Sequence, residues 1–343
     1  MLNQEQRAVI RRYFYGTKGP IVLAALGAIP SIWIGAMIAD TEGAFVFLCI
    51  CLGIAALWAL KERFFPDTEG ENEYDQQLPF SQCEGLGLYV HIPFCVKKCF
   101  YCDFLSFRAL AADHEAYVDQ LVREIRARGA FCSELTVSTV FIGGGTPTVM
   151  EPELIRRIME AVKENFTLEP DAEITIEANP GTLLYNKLPV YHDCGINRVS
   201  IGLQSADNQE LKNLGRVHSF EEFLKSYQSA RMSGFTNISV DLMSGIPGQT
   251  LESWKNTLKK VTMLKPEHIS AYSLIIEQGT PFWEQYGPGM GGCRRENVLP
   301  LPDEDTENRI YHLTRDFLGE MGYQRYEISN YAKPGKECRH NIG

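Results

Sequence analysis

LGLYVHIPFCVKKCFYC, residues 86–102, joins an apolar strand-like run to three cysteines within eight residues. Cys95, Cys99 and Cys102 are spaced Cys-x-x-x-Cys-x-x-Cys, so the thiolates of one loop can surround one small centre. Structural zinc sites use four ligands, and iron–sulfur clusters usually use four Cys thiolates. Three thiolates would leave one iron of a [4Fe–4S] cluster open for a substrate. The alternatives are chance clustering of the cysteines and a zinc site with His91 as the fourth ligand.

Beyond this loop, apolar strand-like runs alternate with amphipathic segments. The strand-like runs cover residues 86–92, 137–142, 172–178, 198–203, 237–243 and 268–274. The amphipathic segments include 112–128, 151–164, 219–233 and 250–263. Apolar strands separated by helices indicate a parallel sheet built of βα units. Six units predict an α/β fold, an open, partial (β/α)6 TIM-like barrel with its site at the carboxyl ends of the strands. A doubly wound sheet is the alternative.

The amino-terminal part carries two uncharged segments, 19–39 and 43–60. A membrane-spanning helix needs about 20 apolar residues, and both segments are long enough. Only Asp40-Thr41-Glu42 separates them, so we predict a two-helix transmembrane hairpin within residues 1–65. A signal peptide or a buried globular hairpin is the alternative, but the apolar region of a signal peptide is shorter.

Positive residues flank both outer ends of the predicted hairpin: Arg7, Arg11, Arg12, Lys18, Lys61 and Arg63. The positive-inside rule then places both ends in the cytoplasm, so residues 19–60 would anchor a cytoplasmic catalytic domain to the cytoplasmic membrane. The polar, acidic stretch 66–84 has the composition of a linker. We expect the core domain over 85–285 and the start of a truncated carboxy-terminal region over 286–343.

The composition limits the class of protein and its partners. Hydrophobic residues make up 45% and charged residues 22% of the 343 residues, which excludes wholesale disorder. The net charge of −10, without a basic stripe, predicts that nucleic acid is not a partner. Ten Cys are too sparse for a disulfide scaffold, so three in one loop favour metal or redox chemistry in a reducing compartment.

Glycine and polar residues follow further strand ends. Gly143-Gly144-Gly145-Thr146 comes directly after the second strand, and glycines there allow a ligand to approach the backbone closely. Glu177 ends the third strand and Gln204 ends the fourth. Asp241 lies in the fifth strand, and Arg216 lies between the fourth and the fifth strands. Each of these four could alone be a strand-end cap or a surface ion pair. Their places favour a site shared with the cysteine loop.

Six motifs resemble the radical S-adenosylmethionine (SAM) superfamily and, within it, the oxygen-independent coproporphyrinogen III oxidase family: YVHIPFC, FIGGGTPT, IEANPGT, VSIGLQS, VDLMSGIPGQT and YEISNYAKPG. The resemblance covers about residues 86–343 and leaves out 1–80. It implies a barrel of the radical SAM type, a [4Fe–4S] cluster and SAM. It also implies a one-electron donor, such as flavodoxin or ferredoxin, and splitting of SAM into methionine and a 5′-deoxyadenosyl radical.

The resemblance also implies roles for individual residues. The cluster ligands would be Cys95, Cys99 and Cys102. The first SAM would be lined by Tyr89, Tyr101, Gly144 and Glu177. A second polar or SAM site would be lined by Gly145, Thr146, Gln204, Arg216 and Asp241.

One departure within the family concerns the position two residues after the third Cys. The oxidase branch has a fourth Cys there, whereas this chain has Phe104, as the heme chaperone branch does. The resemblance therefore implies binding of heme or porphyrin and heme delivery to a recipient hemoprotein. Coproporphyrinogen III oxidation in porphyrin biosynthesis is the alternative. His218 and His268 are candidate heme ligands, although an isolated His is more often structural. The branch's His-Asn motif starts at His340, close to the end of the chain.

Overall fold

The computed structural model describes residues 86–132, 134–183, 185–287 and 298–342, which all belong to one compact unit. The predicted hairpin and linker, residues 1–84, lie outside the described residues. Within the described ranges, none of the helices combines the length and the hydropathy of a membrane span.

The described strands form one sheet. They are β1 (Leu86–Ile92), β2 (Thr136–Gly144), β3 (Thr167–Ala178), β4 (Arg198–Gln204), β5 (Ile238–Ser244), β6 (His268–Ser273), β7 (Gln324–Arg325) and β8 (Asn330–Ala332). Strands β1 to β6 are parallel and adjacent in chain order. In a (β/α) barrel, neighbouring strands follow one another in the order of the chain, whereas the strand order of a doubly wound sheet reverses at a switch point. The doubly wound alternative is therefore wrong, and the six predicted strands are confirmed.

Helices connect the parallel strands and follow the last of them. They are α1 (Ala111–Gly129), α2 (Pro152–Asn165), α3 (Leu188–Asp193), α4 (Asn208–Asn213), α5 (Phe220–Met232), α6 (Leu251–Met263), α7 (Pro281–Tyr286), α8 (Glu304–Glu320) and α9 (Arg339–Ile342). The four predicted helices are confirmed as α1, α2, α5 and α6. The side chains of Ser219 and Thr250 cap α5 and α6 by accepting backbone N–H bonds, which explains why these helices begin where they do.

The two faces of the sheet differ in chemistry. On one face, alternate apolar strand residues pack with the helices into the core: Val90, Ile92, Val140, Ile142, Ile174, Ile176, Val199, Ile201, Val240 and Leu242. The intervening positions belong to the other face, because successive side chains of a strand point to opposite sides. There the register pairs His91 with Gly143 and Gly202 with Asp241. The polar residues predicted for the site thus share the face away from the helices.

The carboxy-terminal residues extend the same sheet. Strand β8 runs antiparallel to β6, with Asn330 opposite Ser270, and β7 pairs with β8. The chain then returns to the first strands, where His340 Nδ1 lies 2.8 Å from Thr139 Oγ1 of β2. Because β1 and β7 lie at the two ends of the strand order, the sheet formed by the described strands is open.

Candidate functional site

The loop after β1 holds three free, half-buried thiols: Cys95, Cys99 and Cys102. At the base of the loop, Phe107 N–H donates to the Pro93 carbonyl oxygen at 2.9 Å. In its middle, Phe100 N–H donates to the Leu214 carbonyl oxygen at 3.0 Å, and Phe282 N–H donates to the Phe100 carbonyl oxygen at 3.0 Å. These bonds tie the loop to the segments that follow β4 and β6, so the thiols lie over the strand ends.

A cavity of about 130 Å³ separates the cysteine loop from the ends of β2 to β6. Beside the three cysteines, its walls include six residues predicted from the sequence: Tyr101, Gly144, Gly145, Glu177, Arg216 and Asp241. The resemblance divides these six between two SAM sites, whereas the structure places them around one cavity. That division stays a prediction.

The glycine loop at the end of β2 is bonded to the chain leading into the cysteine loop. Gly145 N–H donates to the Ile92 carbonyl oxygen, and Thr146 N–H donates to the Phe94 carbonyl oxygen, each at 2.7 Å. A Cβ on Gly145 would lie 2.6 Å from that Phe94 oxygen, so the approach requires glycine. Gly144 has a φ of +110°, which side chains disfavour.

Two carboxyl groups line the cavity opposite the thiols. Glu177 Oε2 accepts the Gly144 N–H at 3.0 Å, which joins β3 to the glycine loop. Burial, with a smaller contribution from the Asp241 charge, raises the pKa of Glu177 to about 7. Burial also raises the pKa of Asp241, whose Oδ1 accepts the Ser200 hydroxyl at 2.9 Å. Burial thus makes the Glu177 carboxyl easier to protonate than a carboxyl in water.

Arg216 brings a positive charge to the same cavity. Its Nη2 donates to Asn179 Oδ1 and to the Gly202 carbonyl oxygen, each at 2.5 Å. Its Nη1 lies 3.6 Å from Cys99 Sγ, so the guanidinium faces a thiol of the loop. Among the described residues, its buried Nε has no hydrogen-bond partner. A buried donor without a partner fits a cavity that takes a polar or anionic ligand.

The donors present at the cavity fit an iron–sulfur cluster with SAM beside it. Thiolates are the ligands that such clusters use, and glycine backbone, carboxyl and guanidinium groups suit a charged, hydroxylated ligand. Within the described ranges, no three His, Cys, Asp or Glu side chains are grouped so as to hold one metal ion. His91, the fourth ligand of the zinc alternative, instead places Nε2 3.0 Å from the Leu105 carbonyl oxygen.

Three of the predicted site residues lie beside the cavity rather than in its wall. Tyr89 is 53% exposed, and its ring is stacked on that of His340 at 6.4 Å between centroids. Gln204, in the left-handed region with φ of 74°, accepts the Tyr272 hydroxyl through Oε1 at 2.6 Å. Thr146 lines a smaller neighbouring cavity.

Two residues that the sequence reasoning missed stabilise this region. Asn179 directly follows β3, and its Nδ2 donates to Thr146 Oγ1 at 2.7 Å. The position of Asn179 directly after a strand could have identified it from the sequence. Lys187 is buried, and its Nζ donates to the carbonyl oxygens of Thr148 (2.8 Å) and Met150 (2.9 Å) in the turn after the glycine loop. Burial lowers the pKa of Lys187. No local pattern indicates this long-range contact.

The two candidate heme ligands make hydrogen-bond contacts within the protein. His218 Nε2 lies 3.2 Å from the Leu203 carbonyl oxygen. His268 Nδ1 lies 2.8 Å from Ser239 Oγ, and its Nε2 lies 2.7 Å from the Tyr326 hydroxyl. Burial lowers the pKa of His218 to about 3 and that of His268 to about 2, so both rings are neutral. These contacts favour structural roles for both rings, and a role of either ring as a heme ligand stays untested.

Comparison with protein families identifies the class of this site. The model of the Radical SAM superfamily matches residues 89–261, which include the cysteine loop and the ends of β2 to β5. The chain belongs to the radical SAM superfamily. Membership implies a [4Fe–4S] cluster and SAM, in agreement with the donors at the cavity.

Individual relatives of this radical SAM protein are heme chaperones by name. The heme chaperone HemW of Escherichia coli (strain K12) is 39% identical over 259 residues, covering 75% of this chain and 65% of that protein. HemW of Lactococcus lactis subsp. lactis (strain IL1403) is 38% identical over 254 residues, covering 74% and 64%. The chain thus spans less than two thirds of the length of these curated relatives.

A solved structure also resembles this radical SAM protein. It is the coproporphyrinogen III oxidase HemN of Escherichia coli, whose TM-score is 0.66 at 32% identity over 74% of this chain and 56% of that one. The family resemblance seen in the six motifs, including the heme chaperone branch, is confirmed.

Proposed function

We propose that this protein binds a [4Fe–4S] cluster through Cys95, Cys99 and Cys102 and holds SAM in the cavity beside them. The observation that carries the proposal is that this cavity brings the three thiols opposite the glycine loop, Glu177 and Arg216. When bound, the cluster supplies one electron to SAM, and a flavodoxin or ferredoxin is the class of donor proposed to reduce it.

The residues of the cavity would position SAM. Gly144 and Gly145 leave the backbone of the loop open to a ligand, because neither carries a side chain. The Glu177 carboxylate accepts hydrogen bonds from a SAM hydroxyl or ammonium group. Arg216 and Asp241 offer opposite charges for the second polar or SAM site. Tyr89 and Tyr101 are proposed neighbours of the first SAM.

We further propose that the protein binds heme and delivers it to recipient hemoproteins. The support is the name of the relatives, heme chaperone HemW, together with Phe104 at the position of the oxidase branch's fourth Cys. Phe104 is 65% exposed at the rim of the cavity, so an apolar side chain lies where the oxidase branch has its fourth Cys. Coproporphyrinogen III oxidation is the second candidate, favoured by the similarity to the HemN structure.

Heme titration of the anaerobically purified full chain tests this function. We expect stoichiometric binding with a shifted Soret band and no SAM-dependent conversion of coproporphyrinogen. Protoporphyrin without iron is the matched ligand control, because it keeps the ring but lacks the metal. Turnover of coproporphyrinogen to a vinyl product, without stable heme binding, would instead establish the oxidase.

We also propose that residues 19–60, which lie outside the described residues, anchor the protein in the cytoplasmic membrane. A charge at the centre of a span costs about 2.5–3.5 kcal/mol on the insertion scale. Ile34→Arg should therefore impair membrane insertion of the first span, whereas Ala39→Arg, near the interface, should impair it less. Fractionation after lysis measures both variants. Recovery of the unchanged chain in the soluble fraction without detergent would contradict the anchor.

A further inference from the structure

Two of the three thiols are connected through a series of polar side chains that meets at Asn179. Thr146 Oγ1 lies 3.5 Å from Cys95 Sγ, and Arg216 Nη1 lies 3.6 Å from Cys99 Sγ. Between them, Asn179 bonds to Thr146 at 2.7 Å and to Arg216 at 2.5 Å. We refer to Thr146, Asn179 and Arg216 as the Asn179 bridge.

The donors and acceptors of the bridge have a fixed direction. A guanidinium only donates, so the oxygen of the Asn179 amide must face Arg216. The amide nitrogen then faces Thr146 and donates to its hydroxyl oxygen. The Thr146 hydroxyl hydrogen is thereby left to point to Cys95. Both ends of the bridge thus direct a donor at a thiol sulfur, and the second of these donors is charged.

The backbone around the bridge holds it in place. Arg216 Nη2 also donates to the Gly202 carbonyl oxygen at 2.5 Å. A Cβ on Gly202 would lie 2.9 Å from Asn179 Oδ1 and 3.3 Å from Arg216 Nη2, so glycine leaves the room that the bond needs. Thr146 is 2% exposed and is fixed to the loop base through its backbone N–H. The bridge is therefore built by the ends of β2, β3 and β4 together.

We propose that Asn179 is a positioning residue that raises the reduction potential of the cluster by directing these two donors onto the sulfurs of Cys95 and Cys99. Hydrogen bonds to the sulfurs are one of the factors that set the potential of an iron–sulfur cluster. A donor or a positive charge beside a thiolate favours the reduced cluster, which carries one more negative charge. The inference rests on the cluster of the proposed function and is independent of heme delivery.

Asn179→Asp in the anaerobically reconstituted full chain tests the proposal. The carboxylate keeps the shape of the amide but has no donor, so it neutralises the guanidinium and takes the Thr146 hydroxyl hydrogen away from Cys95. We expect unchanged iron and sulfide content and a midpoint potential shifted to more negative values. The measurement is a potentiometric titration followed by electron paramagnetic resonance. Asn179→Leu, which keeps the Arg216 charge, should shift the potential in the same direction but less.

Asn213→Asp is the matched control for added negative charge. Asn213 lies three positions before Arg216 and donates to the Pro247 carbonyl oxygen at 3.1 Å, outside the bridge. An equal potential in Asn179→Asp and Asn213→Asp, both with full clusters, would overturn the proposal. If the Asn179 variants assemble no cluster, Thr146→Val, which removes only the hydroxyl at Cys95, must shift the potential negatively or the proposal fails. An unaltered chain without iron contradicts the proposed function instead.

Discussion

Replacing Cys99 with alanine is expected to abolish the [4Fe–4S] cluster. Three thiolates hold the cluster in the proposed site, and Cys99 is the central one, in contact with Arg216. Loss of one of the three thiolates leaves two of the four irons without a protein ligand, because one iron already lacks one. Iron and sulfide analysis of the anaerobically purified variant, with its visible absorption spectrum, should therefore show almost no cluster.

Cys132→Ala is the matched control for this loss. Cys132 is also a free, half-buried thiol, but it lies after α1, outside the cysteine loop. Its removal should leave the iron content unchanged. A full complement of iron in Cys99→Ala would show that the ligand assignment is wrong.

Gly145→Ala is expected to destabilise the fold and to weaken SAM binding. The new Cβ would lie 2.6 Å from the Phe94 carbonyl oxygen and 3.0 Å from that of Ile92, which are backbone atoms that cannot rotate away. Relief of the clash stretches the two 2.7 Å bonds that join the glycine loop to this segment. Overpacking and a weakened hydrogen bond together cost about 2–4 kcal/mol of the free energy of unfolding. Urea unfolding of the full chain measures this cost.

Gly319→Ala provides the comparison for Gly145→Ala. Gly319 lies in α8, and a Cβ there would meet no atom within 4 Å. Alanine in a helix is favoured over glycine by about 0.5–1 kcal/mol, so this variant should be as stable as the unaltered chain or more so. The affinity for SAM, measured by the change that SAM causes in the spectrum of the reduced cluster, should fall only in the Gly145 variant. Equal stability of the two variants would argue against the close approach at Gly145.

The amino-acid sequence alone was sufficient to predict the parallel strands and the longer helices. A strand such as β4 is buried along its whole length, and a helix such as α5 begins at the capping residue Ser219, so both have local patterns that predict them. The cysteine spacing and the glycine run are equally local. They predicted the walls of the cavity because parallel strands place all their carboxyl ends at one edge of the sheet.

The sequence by itself thus determined which residues meet at the strand ends, since periodicity and spacing are properties of neighbours along the chain. Only the tertiary structure decided how they bond. Asn179 lies 37 positions from Arg216 and Lys187 lies 39 from Thr148, yet each pair is hydrogen-bonded. The pairing of β8 with β6 likewise joins distant segments. Such contacts depend on the three-dimensional arrangement of whole elements, and a buried polar side chain finds its partner only after those elements have packed.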